Sequence, residues 1–183
     1  MSELDPASLR LAPPGVQVSE RLRLRELTHA DDAFIMELVN DPLWLRFIGE
    51  RNVHSLEQAR GYIDRIRDGS YAKHGFGLWA VERPGAGEVA GICGLLKRVH
   101  LEVPDIGFAF LDRHRGQGLA SEALAATLGL AHERFGLRQV AAVTDLDNLA
   151  SQRVLERAGF RFEQVVRWAE SDDNVRLYRR TLP

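Results

Sequence analysis

Between residues 113 and 123 the chain reads Arg-His-Arg-Gly-Gln-Gly-Leu-Ala-Ser-Glu-Ala, two arginines and two glycines running into a helical pattern. A helix start leaves its first ~4 amide N–H groups unpaired and carries about half a positive charge. Gly116 and Gly118 let the backbone approach an anion without a Cβ in the way. Arg113 and Arg115 would add mobile positive charge, and the chemistry implied is phosphate binding. A Walker A loop would need a lysine, and none stands here. A dinucleotide fingerprint would need a third glycine where Ser121 stands. The plainer reading is a glycine-containing helix entry with solvated arginines.

Other reactive side chains offer less. His29, His54, His74, His100, His114 and His132 show no metal-ligand spacing with acidic residues, so no metal is expected. His114 lies inside the loop and is expected to face solvent. Cys93 is the single cysteine, which excludes an intrachain disulfide and multi-cysteine metal cages. It reads as a buried strand residue without a histidine partner.

These residues must be positioned by the elements around them. Residues 21–27 alternate polar and apolar, the period of a half-buried strand. Thr28 caps a helix over about 29–40, which Asp41-Pro42 stops. Ser55 with Gln58 opens a second helix to about 67, ended at Asp68-Gly69. Strands are expected at 76–82 and 88–98 around Pro84-Gly85-Ala86-Gly87, and again at 105–111. In the last, Ile106, Phe108 and Phe110 share one face, and Gly107, Ala109 and Leu111 share the other. A helix from Leu119, a strand at 139–144, a helix over 148–158 and strands at 160–168 and 175–181 complete the chain. The order predicts a mixed sheet with helices on both faces and one parallel crossover between 105 and 144.

The 183 residues suit one domain with a real core, at 45% hydrophobic and 27% charged. Residues 1–18 read as a disordered or loosely packed leader, and 19–183 as the single domain. Only Lys73 and Lys97 are lysines among 24 basic residues, yet the net charge is −2. That balance argues against nonspecific nucleic-acid or membrane binding. No stretch approaches the ~20 apolar residues of a membrane span, and no export signal is recognisable, so a cytoplasmic location is expected.

Arg113-x-x-Gly116-x-Gly118 followed by Ala120 and Glu122-Ala123 resembles the acyl-CoA pyrophosphate loop of GCN5-related N-acetyltransferases (GNATs), and within them the RimJ/RimL-like branch. Three further matches fall in order. Ser19-Glu20-Arg21-Leu22-Arg23-Leu24-Arg25 resembles the opening strand, Asp105-Ile106-Gly107-Phe108 an acidic-Ile-Gly-aromatic strand, and Asn148-x-x-Ser151 with Gly159-Phe160 the late helix and following strand. The resemblance covers about 19–181. It implies a GNAT fold: a mixed, mostly antiparallel sheet of six to seven strands, helices on both faces and a splayed central strand pair.

It further implies transfer of acetyl directly from acetyl-CoA to a primary amine, either a protein N-terminal α-amine or a small molecule, in a monomer or homodimer. Backbone groups near Phe108, Phe110 and Leu111 would bond the pantetheine amides. Main-chain N–H groups from Arg113 through Arg115, Gly116, Gln117, Gly118 and Leu119 to Ala120 would hold the pyrophosphate. Asn148 would meet the pantetheine arm, and it is also a natural N-cap.

Transfer needs a neutral amine, which at pH 7 costs roughly 1.4 kcal/mol for an α-amine and roughly 4.6 kcal/mol for a lysine. Asp105, Glu102 and His100 are the candidate bases. A backbone N–H at a bulge around Phe108–Phe110 would stabilise the oxyanion. Many relatives place a tyrosine four residues after the position of Ser151 to protonate the thiolate, where this chain has Leu155. A thiolate is only about 2 kcal/mol uphill at pH 7, so a weaker donor suffices, and Ser151 is the candidate. Trp44, Phe47, Trp79 and Trp168 could line an acceptor pocket. The rival classes are a non-catalytic acyl-CoA-binding module and a phosphate-binding protein of unrelated fold.

Overall fold

The computed structural model describes residues 5–183. Eight strands form one sheet: β1 (Val16–Gln17), β2 (Arg23–Arg25), β3 (Leu78–Arg83), β4 (Glu88–Leu96), β5 (Asp105–Phe110), β6 (Gln139–Asp145), β7 (Arg161–Arg167) and β8 (Asn174–Thr181), in the order β1-β2-β3-β4-β5-β6-β8-β7. Every neighbouring pair is antiparallel except β5 and β6. That parallel pair is joined by one register contact, Asp105 opposite Ala141, and then splays. The bulge expected around Phe108–Phe110 is not there. The β4–β5 ladder runs in unbroken register from Gly91 opposite Phe110 to Leu96 opposite Asp105. The irregularity lies on the other edge of β5, where β6 departs and backbone groups lose their ladder.

The helices are α1 (Pro6–Leu9), α2 (Asp32–Val39), α3 (Pro42–Phe47), α4 (Leu56–Ile66), α5 (Ala72–His74), α6 (Leu119–Glu133) and α7 (Leu149–Arg157). They cover both faces. Leu119, Ala123, Leu124, Leu128 and Ala131 of α6 pack with Ile106 and Phe110 of β5 on one side. Ile35, Leu38 and Val39 of α2 with Ala59 and Ile63 of α4 pack near Leu111 on the other. The alternation read along residues 106–111 thus becomes two cores with one strand between them.

Three expectations change. The stretch before residue 19 is folded from Asp5 onward. Leu11 is buried, Arg10 Nε donates to Glu26 Oε1 at 2.8 Å, and β1 pairs with β2 to supply the eighth strand. Nothing in the local pattern foretells this, because long-range contacts do the ordering; residues 1–4 lie outside the described residues. Asp41-Pro42 ends α2 and also starts α3. Asp41 Oδ1 accepts the Leu43 N–H at 2.9 Å, and Pro42 occupies the first turn, where a missing N–H costs nothing. Finally, Asp68-Gly69 does not end the helical run. The chain widens to a π turn over Arg67–Tyr71 and stops at Gly75, whose φ is +74°. Buried Tyr71 holds that turn, its hydroxyl donating to the Leu78 carbonyl and accepting from the Leu27 N–H at 3.2 Å.

Candidate active site

The anion loop folds as its sequence requires. A 3-10 turn over Asp112–His114 follows β5, Gly116 and Gly118 take φ of +71° and +77°, and Gly118 is the N-cap of α6. A Cβ at Gly116 would meet nothing within 4 Å, so the glycine is required by its left-handed backbone and not by crowding. The His114 and Arg115 N–H groups are used within the turn, on the carbonyls of Leu111 and Asp112. The helix ladder begins with Glu122 N–H on the Gly118 carbonyl. Among the described residues, the amides of 116–120 have no backbone acceptor. The cradle is therefore shorter than the 113–120 expected, and it suits a phosphate group at a helix N-terminus.

Its arginines are already engaged. Arg113 pairs with Glu37, and Arg115 reaches Asp41 at 2.5 Å and Asp112 at 3.1 Å. They tie the loop to α2 and to the cap of α3. Gln117 turns back, its amide donating to the Arg113 carbonyl at 3.0 Å. Arg21 donates to the Gln117 carbonyl at 3.2 Å and, with Ser19, clamps Glu122. Partial burial pushes the Glu122 carboxyl up, but those hydrogen bonds outweigh it and hold the group below its ordinary range. The opening-strand motif and the loop motif are thus two halves of one contact.

Two cavities of about 400 Å³ each meet beside this loop. The first is lined by Phe108, Phe110, His114, Arg115, Gly116, Gly118, Leu119, Ala120 and Arg157, among others. The second runs between β5 and β6 under α3 and α4, with Arg51, Tyr62, Arg65, Arg98, Asp105, Thr144, Leu155, Trp168 and Glu170 in its walls. Both share Trp44, Phe47, Ile48, Phe108, Ala109, Asn148 and Ser151. The Asn148 side chain caps α7, its Oδ1 accepting from the Ser151 N–H at 3.2 Å.

Several expected residues stand elsewhere. Leu111 is buried against the α2–α4 core with its N–H on the Ala90 carbonyl, away from both cavities. Arg113 and Gln117 do not line the first cavity. Exposed Glu102 lines neither, and its carbonyl accepts from Lys97 at 3.2 Å. His100 sits edge-on against Trp168 with ring centroids 4.5 Å apart, outside both walls. Trp79 is wholly in the core. His114 is buried and not solvent-facing; burial pushes its imidazole pKa down. Cys93 is fully buried, which pushes its thiol up to about 12 and removes it as a nucleophile.

Of the candidate bases, Asp105 alone lines the second cavity. It pairs with Arg98 at 2.9 Å, and Arg98 also contacts Glu170. Burial pushes the Asp105 carboxyl up to about 6; the Arg98 guanidinium pulls it down but does not cancel that effect. Asp105 can therefore exchange a proton close to neutral pH. Thr144 adds an unforeseen feature, a buried hydroxyl in the cavity wall without a hydrogen-bond partner. Such a group costs about 1–3 kcal/mol unless something bonds to it. Arg51, Arg65, Arg98 and Glu170 were also not singled out by their spacing, because they come from separate elements.

The fold and this cleft define an acyl-CoA-dependent acyltransferase, and comparison with known proteins agrees. Residues 21–161 match the family model described as an acetyltransferase (GNAT) domain. The chain is 31% identical over 151 residues to an uncharacterised N-acetyltransferase of Bacillus subtilis, YoaA, covering 81% of this chain and 84% of that protein. Its fold matches RimL, a ribosomal L7/L12 α-N-protein acetyltransferase, with a TM-score of 0.78 at 22% identity, over 94% of this chain and 99% of that one. It also matches the microcin C7 self-immunity acetyltransferase MccE in complex with acetyl-CoA and AMP, with a TM-score of 0.80 at 15% identity, over 95% and 99%. The chain belongs to the GNAT acetyltransferase family, with acetyl-CoA as co-substrate.

Proposed function

We propose that this protein moves acetyl from acetyl-CoA directly to a primary amine, a peptide α-amine or a small-molecule amine, in the manner of the RimJ/RimL-like branch. The observation that carries this reading is the meeting of the two cavities at Phe108, Ala109, Asn148 and Ser151. The amides of 116–120 hold the pyrophosphate, and the free edge of β5 takes the pantetheine arm. The amine enters from the second cavity and gives up a proton to Asp105. Its lone pair then attacks the thioester carbon. A β5 amide left unpaired by the splay receives the oxyanion. As the C–S bond breaks, the Ser151 hydroxyl donates a hydrogen bond to the departing thiolate, and the second proton, shed by the attacking nitrogen, goes to that thiolate through solvent. Buried Leu155 offers no proton, so this step rests on Ser151 and on the modest basicity of the thiolate.

The test is release of free thiol from acetyl-CoA in the presence of a panel of primary amines. Amine-dependent thiol release is the expected result. Binding of CoA with no transfer to any amine would instead identify an acyl-CoA-binding module.

A further inference from the structure

The charged side chains of the acceptor cavity fall into two groups. In one group, Arg98 faces two carboxylates, Asp105 and Glu170. In the other stand Arg51, from the loop after α3, and Arg65, from α4 itself, both close to Tyr62, with Arg65 Cζ 5.7 Å from the Tyr62 ring centroid. The carboxylates nearest in sequence are engaged elsewhere. Glu50 accepts from the amides of Arg51 and Asn52 at 2.9 and 2.7 Å and faces His54 at 3.8 Å. Asp64 pairs with His29 at 2.8 Å and Arg67 at 3.6 Å. Among the described residues no carboxylate pairs with Arg51 or Arg65.

The donor's phosphates do not explain these two arginines. Arg51 and Arg65 line only the acceptor cavity, whereas the amide cradle opens on the other. Unneutralised guanidinia at a cavity wall are suited to bidentate bonding of a carboxylate or phosphate. The Arg98 group, with two carboxylates to one guanidinium, suits a cationic amine before it loses its proton.

We propose that the acceptor is an amine that also carries an anionic group, a carboxylate or phosphate, which docks on Arg51 and Arg65 while the amine faces Asp105. This rests on the transferase reading above and adds the acceptor's class to it. The overall charge of −2 is no obstacle, since short-range pairing at a cavity wall decides such a contact.

The experiment compares acetyl transfer to matched acceptors: ethanolamine against O-phosphoethanolamine, and C-terminally amidated tetrapeptides beginning Ser-Gln against Ser-Glu. The acid-bearing member of at least one pair should show a kcat/KM at least ~10-fold higher, expressed in KM, and the preference should shrink as salt is raised. Which pair shows it tells a small metabolite from a peptide N-terminus. Arg51→Gln with Arg65→Gln should bring the preferred acceptor down to its uncharged partner, and Arg51→Lys with Arg65→Lys should restore part of the difference. CoA titration by calorimetry verifies that each variant is folded. Equal transfer within both pairs, or a preference untouched by the glutamine variants, would overturn the assignment and leave the transferase reading standing. Silence toward all four acceptors and the wider amine panel, with CoA still bound, would take down both.

Discussion

On the proposed reading the cleft has a donor side and an acceptor side, and the two are built in opposite ways. The donor cavity takes half its wall from one run of chain, from Phe108 through the loop to Ser121, and the rest from α2, α3 and α7. Its chemistry is backbone chemistry: left-handed glycines and a helix start whose amides point outward. The acceptor cavity is assembled from α3, α4, β4, β5, β6, α7 and the segment at 168–175, and its chemistry is carried by side chains. The first can be kept by a short motif. The second can vary at any of its walls without disturbing the first, which is how one scaffold can hold one co-substrate and different acceptors.

If the two sides are separable, variants should split cleanly between them. The largest effect should come from Asp105→Asn, with roughly a 100-fold loss in kcat/KM for the amine at neutral pH and little change in CoA affinity. In the unaltered protein, kcat/KM should rise with pH through about 6, where the Asp105 carboxylate forms, and the variant should lose that limb. Steady-state profiles between pH 5 and 8 will show this. The sign for stability is the reverse. Because the folded pKa lies above the unfolded value of ~3.9, the contribution of this group is fully present below that value and is lost as pH rises through about 6. Urea titrations across pH 4–7 will check that direction in the difference between the protein and Asp105→Asn.

On the donor side, Gly118→Val cannot keep a φ of +77° without strain of at least ~1–2 kcal/mol. Acetyl-CoA affinity should fall by roughly tenfold or more by calorimetry. Ser151→Ala sits where the cavities meet. It should lower kcat about tenfold while acetyl-CoA affinity stays nearly intact, and unchanged turnover would remove Ser151 from the mechanism. The smallest effect belongs to Arg21→Ala. This residue pairs with Glu122 across a largely solvated contact, with 49% of the Arg21 side chain exposed, so thermal denaturation should register less than about 1 kcal/mol. A several-fold weakening of CoA binding should accompany it, since Arg21 also holds the Gln117 carbonyl.

How far the sequence could be read follows the same division. The alternation along residues 106–111 and the small-residue face of α6 located the central strand and its helix, because both are periodic over neighbouring positions. Gly116 and Gly118 announced their conformation by residue type alone. The partners of Arg113 and Arg115 were not legible, because a sequence shows charge without showing Glu37 and Asp41, which engage them. Glu102 and His100 are close to Asp105 in the chain, yet only Asp105 falls at the point where β5 and β6 part. Helix α3 was missed because Asp-Pro both stops one helix and starts another, although Trp44 and Phe47, which it carries, were expected as pocket walls and stand there.

By itself, then, the amino-acid sequence determined the order of most elements, the left-handed glycines of the loop and, through its four motifs, the family resemblance. Those depend on residues within a few positions of one another, where periodicity and backbone preference act directly. Tertiary structure decided the rest: which arginines are paired, which carboxylate is buried enough to titrate near neutrality, and which two remain unneutralised at Arg51 and Arg65. Burial and ion pairing depend on what long-range packing brings alongside, and no spacing in the chain encodes that distance.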